Sequence, residues 1–186
     1  MVVLLSEDIY DFDLDVALQS IPEQRRLYAL RYQQERDRRL SVKAYLLLCQ
    51  GLREKYGICE MPLFNYTQNG KPLLQGYPNI HFNISHCNHA VICVIDNHPI
   101  GVDIESIKEY DAELLPHTMN LEEQEQIRHA ANPAIEFTRL WTMKEAVLKL
   151  TGKGITNTLT QILCNNSCTI TTRLSPSKQY IYSICK

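Results

Sequence analysis

The chain has 186 residues, 45% hydrophobic and 22% charged, with 19 Lys+Arg against 21 Asp+Glu. That is enough apolar material for one domain, or for two small halves sharing a core, and it excludes a disordered chain. The net charge of −2 gives no reason to expect a nucleic-acid or membrane-surface partner, yet it conceals a local +5 over residues 25–43, seven bases against two acids, with −7 on the rest.

Val2–Leu5 reads as an opening strand. From Pro22 to about Leu52 the composition is helical, with Pro22 at the start and Gly51 near the end. Asn69-Gly70 signals a hairpin, and Lys71–Leu74 leads out of it. His81–Ser85, Ala90–Ile95 and, past the Asn97-His98-Pro99 turn, Ile100–Glu105 read as strands. Leu121–Ala131 reads as an acidic, exposed helix closed by Asn132-Pro133, and Ala134–Leu150 as a second helix ended by Gly152 and Gly154. Gln161–Cys164, Thr169–Leu174 and Tyr180–Cys185 are short β-prone runs. This order predicts an α+β protein of two halves, residues 1–99 and 100–186, meeting near Pro99–Gly101.

Seven cysteines make an odd set without a CxxC. Cys49, Cys87 and Cys93 read as small hydrophobes, and no His follows Cys164 and Cys168 at zinc-ligand spacing, so neither metal nor disulfide is expected of the cysteines. The longest apolar stretches fall short of a bilayer span and Ser6-Glu7-Asp8 interrupts the first of them. A cytoplasmic protein without signal peptide or membrane span is the expectation.

Three segments carry chemistry. In Gly101-Val102-Asp103-Ile104-Glu105 the period of a strand puts both carboxylates on one face, suited to a hard divalent cation or, more ordinarily, to a solvated acidic face. On the helix from Phe137 to Leu150, Phe137, Leu140, Trp141, Met143, Val147, Leu148 and Leu150 form an apolar face; Thr138, Thr142, Glu145 and Lys149 cluster opposite. Glu145 and Lys149 at i,i+4 have a surface salt bridge as their bland reading. Lys144 falls within the apolar face and must snorkel, pair with a carboxylate or reach a cavity, which favours a polar cleft along the helix. His81-Phe-Asn-Ile-Ser85-His86 places donors at a strand end; without a G-x-S-x-G elbow, phosphate contact suits them better than nucleophilic catalysis. Arg25, Arg36, Arg39 and Lys43 fall on one side of a helix, either as a solvated stripe or as a docking site for phosphate or an acidic partner.

Taken in order, Gly-Lys71-Pro72, Phe-Asn-Ile-Ser85-His86, Gly-Val-Asp103-Ile-Glu105 and Trp-Thr-Met-Lys-Glu145-Ala-Val-Leu-Lys149-Leu-Thr-Gly-Lys-Gly resemble the 4′-phosphopantetheinyl transferase superfamily, Sfp type. The likeness covers most of residues 71–154, and 22–43 more loosely. It implies two similar α+β halves about a pseudo-twofold axis with the active site between them. The implied reaction is transfer of the phosphopantetheine of coenzyme A to a serine of an apo acyl or peptidyl carrier protein, releasing 3′,5′-ADP. On the same resemblance, Asp103, Glu105 and Glu145 would hold Mg²⁺, Glu145 and Lys149 would be catalytic, and Arg39, Lys71, Pro72, Ser85, His86 and Lys149 would bind coenzyme A. A monomer is implied as well, with no nucleic-acid or membrane partner. The chain departs from the pattern at Gln24 and Leu27, where lysines are common, and at Leu40, where a hydroxyl is common; it is also shorter after the last motif. A non-catalytic carrier-protein or coenzyme A binding module on the same scaffold is the alternative, disfavoured by the intact Asp103, Glu105, Glu145 and Lys149. An unrelated Mg²⁺-dependent phosphohydrolase is a third reading.

Overall fold

Val2 and Leu4 turn inward along β1 (Val2–Ser6), while Val3 and Leu5 stay exposed, the alternation of an edge strand covered on one face. The computed structural model that shows this describes residues 1–152, 159–164 and 167–186. α1 (Leu14–Ser20), which has no counterpart among the expected elements, is capped by Asp13, whose carboxylate accepts from the Val16 amide. The helical stretch after Pro22 is two helices, α2 (Glu23–Ala29) and α3 (Glu35–Tyr56). At the break Arg38 donates to the carbonyls of Tyr32 and Gln33, which lack helical partners. Gly51, expected near the helix end, lies inside α3; Gly57, at φ 67°, closes it. A Cβ on Gly51 would stand 2.6 Å from Ile95 Cδ1, so its absence lets α3 settle on the sheet.

The Asn69-Gly70 turn joins β2 (Phe64–Tyr66) to β3 (Pro72–Leu74) as expected. Then come β4 (His81–His86), β5 (Val91–Asp96), β6 (Gly101–Ser106), a short α4 (Leu115–Thr118), α5 (Leu121–His129) and α6 (Pro133–Thr151). A 3₁₀ turn at Leu159–Gln161 precedes β7 (Ile170–Leu174) and β8 (Tyr180–Cys185). α5 is not wholly exposed: Glu123, Gln124 and Ile127 are buried where it packs on α6. Gln161–Cys164 is not a strand, because the chain there folds into the 3₁₀ turn and the turn after it. Gly154 lies outside the described residues, and Gly152, left-handed at φ 66°, ends α6.

Two antiparallel three-stranded sheets, ordered β1-β5-β4 and β6-β8-β7, repeat one connectivity: in each, the first strand takes an edge and the last takes the middle. α3 covers the first sheet and α6 the second. The period of β5 divides the core, with Val91, Cys93 and Ile95 facing α3 and Ile92 and Val94 facing Val102, Ile104 and Ile184 of the other sheet. Burying each such Val or Ile side chain contributes about 1.5–3 kcal/mol.

Cys168 and Cys185 form a disulfide, Cα–Cα 6.3 Å, contrary to expectation. The register sets Ile170 opposite Cys185, and Thr169 and Lys186 exchange backbone hydrogen bonds, so strand pairing brings together two thiols that are 17 residues apart. Cys87 and Cys93 are buried free thiols, as their apolar surroundings suggest. Among the described residues, no helix is long and apolar enough to cross a membrane.

Candidate active site

Val102 and Ile104 of β6 enter the core between the sheets, which turns Gly101, Asp103 and Glu105 toward the other face. α6 lies there, and glycine at 101 sets how close it comes. A Cβ would stand 2.1 Å from the Ala146 carbonyl oxygen and 2.4 Å from the Leu150 nitrogen, so helix and strand touch backbone to backbone. This contact brings the last two turns of α6, with Glu145 and Lys149, over the acidic residues of β6.

Lys149 Nζ donates to Asp103 Oδ1 at 2.6 Å and to Ser85 Oγ at 2.8 Å, and Ser85 Oγ donates to Asp103 Oδ1 at 3.1 Å. Lys149 therefore turns to β6 rather than forming the surface pair with Glu145. The Asn83 side chain accepts from the Val102 amide at 2.9 Å and holds β4 beside β6, so Ser85 reaches the cluster from the other sheet. Asp103 is 3% exposed, which rules out the solvated acidic face, and its Oδ2 is buried without a hydrogen-bond partner.

Burial, and next the charge of Asp103, push the Glu105 and Glu145 carboxyls above the usual carboxylate range. Burial, and next the Lys149 ammonium, hold His86 below the ordinary imidazole range. Among the described residues, no three His, Cys, Asp or Glu side chains are already gathered as a metal site.

These groups line one cavity of about 640 Å³. Asp103, Glu105, Trp141, Glu145 and Lys149 come from one half, and Lys71, Pro72, Ser85 and His86 from the other. Eight of the nine expected site residues thus share a cavity, and Arg39 does not. It pairs with Glu35, donates to the Phe12 carbonyl and stacks over Tyr10, beside a separate small depression. The other bases of residues 25–43 do not form a shared stripe either: Arg36 reaches Asn88, and Lys43 reaches Asp11.

The guanidinium that lines this cavity is that of Arg25. It is buried on the cavity wall, donates to the Ser41 carbonyl and hydroxyl at 3.1 Å, and lies 4.7 Å over the Tyr28 ring. Tyr28, Tyr32, Phe64 and Tyr66 join it as an aromatic lining that sequence reasoning missed: Phe64 and Tyr66 come from β2, Tyr28 from α2 and Tyr32 from the break before α3, and only the packing of these elements brings them to one wall. Burial lowers the Arg25 pKa, and its Nε has no hydrogen-bond partner. At the departure positions, Gln24 holds the backbone of Phe64, Leu27 is exposed and Leu40 is in the core.

Two other helix expectations need correction. Lys144 does not open on a polar cleft. It is fully buried and donates to Glu123 Oε2 at 2.8 Å and to the Leu159 carbonyl at 2.7 Å, the carboxylate-pairing alternative. Thr138 and Thr142 are buried too, and Thr142 meets Ser183 of β8 at 2.8 Å, because α6 is covered by the second sheet on one side and by α5 on another.

A sequence model described as the 4′-phosphopantetheinyl transferase superfamily matches residues 99–184. A second, described as 4′-phosphopantetheinyl transferase, N-terminal, matches residues 10–98. The chain is 35% identical over 122 residues to the 4′-phosphopantetheinyl transferase psf-1 of Bacillus pumilus, covering 64% of this chain and 52% of that one. It is 36% identical over 129 residues to the 4′-phosphopantetheinyl transferase gsp of Aneurinibacillus migulanus, covering 68% and 54%. To the 4′-phosphopantetheinyl transferase Sfp of Bacillus subtilis (strain 168) it is 36% identical over 94 residues, covering 50% and 42%. It spans about half the length of these curated relatives. Matched in order over 10–98 and 99–184, and carrying the acidic strand and the Lys-Glu helix together, the chain belongs to the 4′-phosphopantetheinyl transferase superfamily.

Proposed function

We propose that the chain transfers the 4′-phosphopantetheine group of coenzyme A to a serine of an apo acyl or peptidyl carrier protein, with residues 1–99 and 100–186 as the two halves that bind and react the donor. The observation that carries this reading is the meeting of Asp103, Glu105, Glu145 and Lys149 with Lys71, Ser85 and His86 in one cavity. That lining offers oxygen donors for a cation and nitrogen donors for phosphates, the pair of needs that a pyrophosphate substrate has.

Asp103, Glu105 and Glu145 fit Mg²⁺ in kind. Asp103 has a buried oxygen without a partner, and the other two carboxyls are pushed up by burial and, next, by the charge of Asp103. A bound Mg²⁺ would neutralise pyrophosphate charge. The chain's own residues do the rest. Glu145 is the candidate base: as the carrier serine Oγ attacks the β-phosphorus, its proton passes to the Glu145 carboxylate. The Oγ–P bond forms, the bridging P–O bond breaks, and 3′,5′-ADP leaves. The Lys149 ammonium, half-buried beside Asp103, faces the charge that gathers on the leaving oxygen. Ser85 and His86 are further donors for the phosphates, and Pro72 shapes the cavity wall. Arg25, rather than Arg39, is the guanidinium on this wall, and with Tyr28 and Tyr66 it offers a flat, cationic surface to a nucleotide.

The test is intact mass spectrometry of a panel of apo carrier proteins incubated with this chain, coenzyme A and Mg²⁺. One phosphopantetheine should be gained by at least one carrier, and Glu145→Gln should abolish the gain while leaving the thermal midpoint close to wild type. Carrier binding without any mass gain would replace the proposal with a binding module, and phosphate release from simple esters would replace it with a hydrolase.

A further inference from the structure

The β2–β3 hairpin and the C-terminal turn of α6 lie about eighty residues apart in sequence and meet through three hydrogen bonds. Lys71 Nζ donates to the carbonyls of Lys149 at 2.6 Å and Leu150 at 2.9 Å, and Asn69 Nδ2 donates to the Gly152 carbonyl at 3.0 Å. The last carbonyls of a helix have no partner within it and carry the negative end of its dipole. Here they are satisfied from the other half of the molecule, by an ammonium and an amide on one tight turn. Gly152 completes the fit: a Cβ there would stand 3.1 Å from Lys71 Cδ. Lys149 is consequently held at both ends, its carbonyl by Lys71 and its ammonium by Asp103 and Ser85.

We infer that Lys71 is a positioning residue, a clamp that fixes the catalytic turn of α6 before any ligand arrives. Two of its three donor hydrogens are directed at helix carbonyls, so its effect on turnover runs through the placement of Lys149 more than through direct contact with phosphate. Burial lowers the Lys71 pKa, in keeping with an ammonium withdrawn from water into a carbonyl nest. The inference rests on the transferase reading for its kinetic part only.

The experiment compares wild type, Lys71→Met, Lys71→Arg and Asn69→Ala by steady-state transfer and by hydrogen exchange of the ligand-free proteins. Lys71→Met is expected to lower kcat about tenfold, equivalent to about 1.4 kcal/mol at the transition state, while KM for coenzyme A stays within about threefold. Its amides in the last turn of α6 should exchange faster. Asn69→Ala should move both readings the same way by less, and Lys71→Arg, which can place its fork on two carbonyls, should recover most of the loss. A rise in KM with kcat intact would make Lys71 a phosphate ligand and overturn the inference. Unchanged exchange in α6 of Lys71→Met would overturn it too. Should wild type modify no carrier, the transferase reading falls, while the exchange comparison still decides the clamp.

Discussion

Lys144 and Lys149 stand five residues apart on α6 and meet carboxylates in opposite circumstances. Lys149 is about one-third exposed on the cavity, and its partner Asp103 keeps one oxygen free. Lys144 is sealed against Glu123 and the Leu159 carbonyl, off the cavity lining, and ties α6 to α5 and to the 3₁₀ turn. Glu123 does further work there, because its Oε2 also accepts from the Asn120 amide in the capping box of α5. Removing one partner of a sealed pair strands the other charge in the interior. Lys144→Met is therefore expected to destabilise the fold by about 3–5 kcal/mol, measured by urea unfolding. Lys144→Met with Glu123→Gln should recover a substantial part of that, since the glutamine keeps the cap without the charge. A double variant no better than the single one would show that the ion pair is not the source of the loss.

At the scale of elements, α6 against β6 decides the site. Gly101→Ala forces a methyl into helix backbone that cannot rotate away, and a loss of about 3 kcal/mol is expected, together with transfer activity below that of an equally destabilised variant elsewhere. Wild-type stability in Gly101→Ala would mean that the helix can shift, and that the spacing is not fixed here. The sequence makes much of this visible. The strands β4, β5 and β6, the hairpin turn and the helix α6 follow from period and turn chemistry, and eight of nine candidate residues fall on one cavity. What it hides has a common cause. The presence of Arg25 rather than Arg39 on the cavity wall, the buried Thr142 and the Cys168–Cys185 bond all depend on which element packs against which, and no local pattern carries that. Lys144 is the instructive middle case: its position within an apolar face announces a partner, but the partner lies on a different helix.

Over the whole molecule, charge is arranged by half. The bases of residues 25–43 are mostly occupied with neighbours in the first half, and the acids Asp103, Glu105 and Glu145 gather on the second. That gathering has a cost that pH exposes. A carboxyl whose pKa is raised in the folded state keeps its proton in the fold at pH values where the unfolded chain has lost it. Between the ordinary carboxylate value and the raised values of Glu105 and Glu145, the stability these two groups contribute falls as pH rises, and once ionised both charges oppose folding. A divalent cation that binds them lifts the same penalty. Thermal melts at neutral pH should rise on adding Mg²⁺, and the rise should vanish in Asp103→Asn; melts unaffected by Mg²⁺ in the wild type would remove the cation from the proposed site.

The two sheets repeat one connectivity, yet each half places its close-contact glycine on the opposite partner: on the helix, at Gly51, in the first, and on the strand, at Gly101, in the second. Around Gly51 the neighbours are the side-chain tips of Ile95 and Leu4, which smaller or differently branched residues can replace. Around Gly101 they are helix backbone atoms, identical whatever the sequence. Variation can therefore retune the first half gradually, through compensating pairs of substitutions, while the second half offers no such partner to adjust. A directed-evolution library therefore belongs on α3 and its neighbour α2, where the architecture leaves room for drift, and not on the hairpin turn that holds the end of α6.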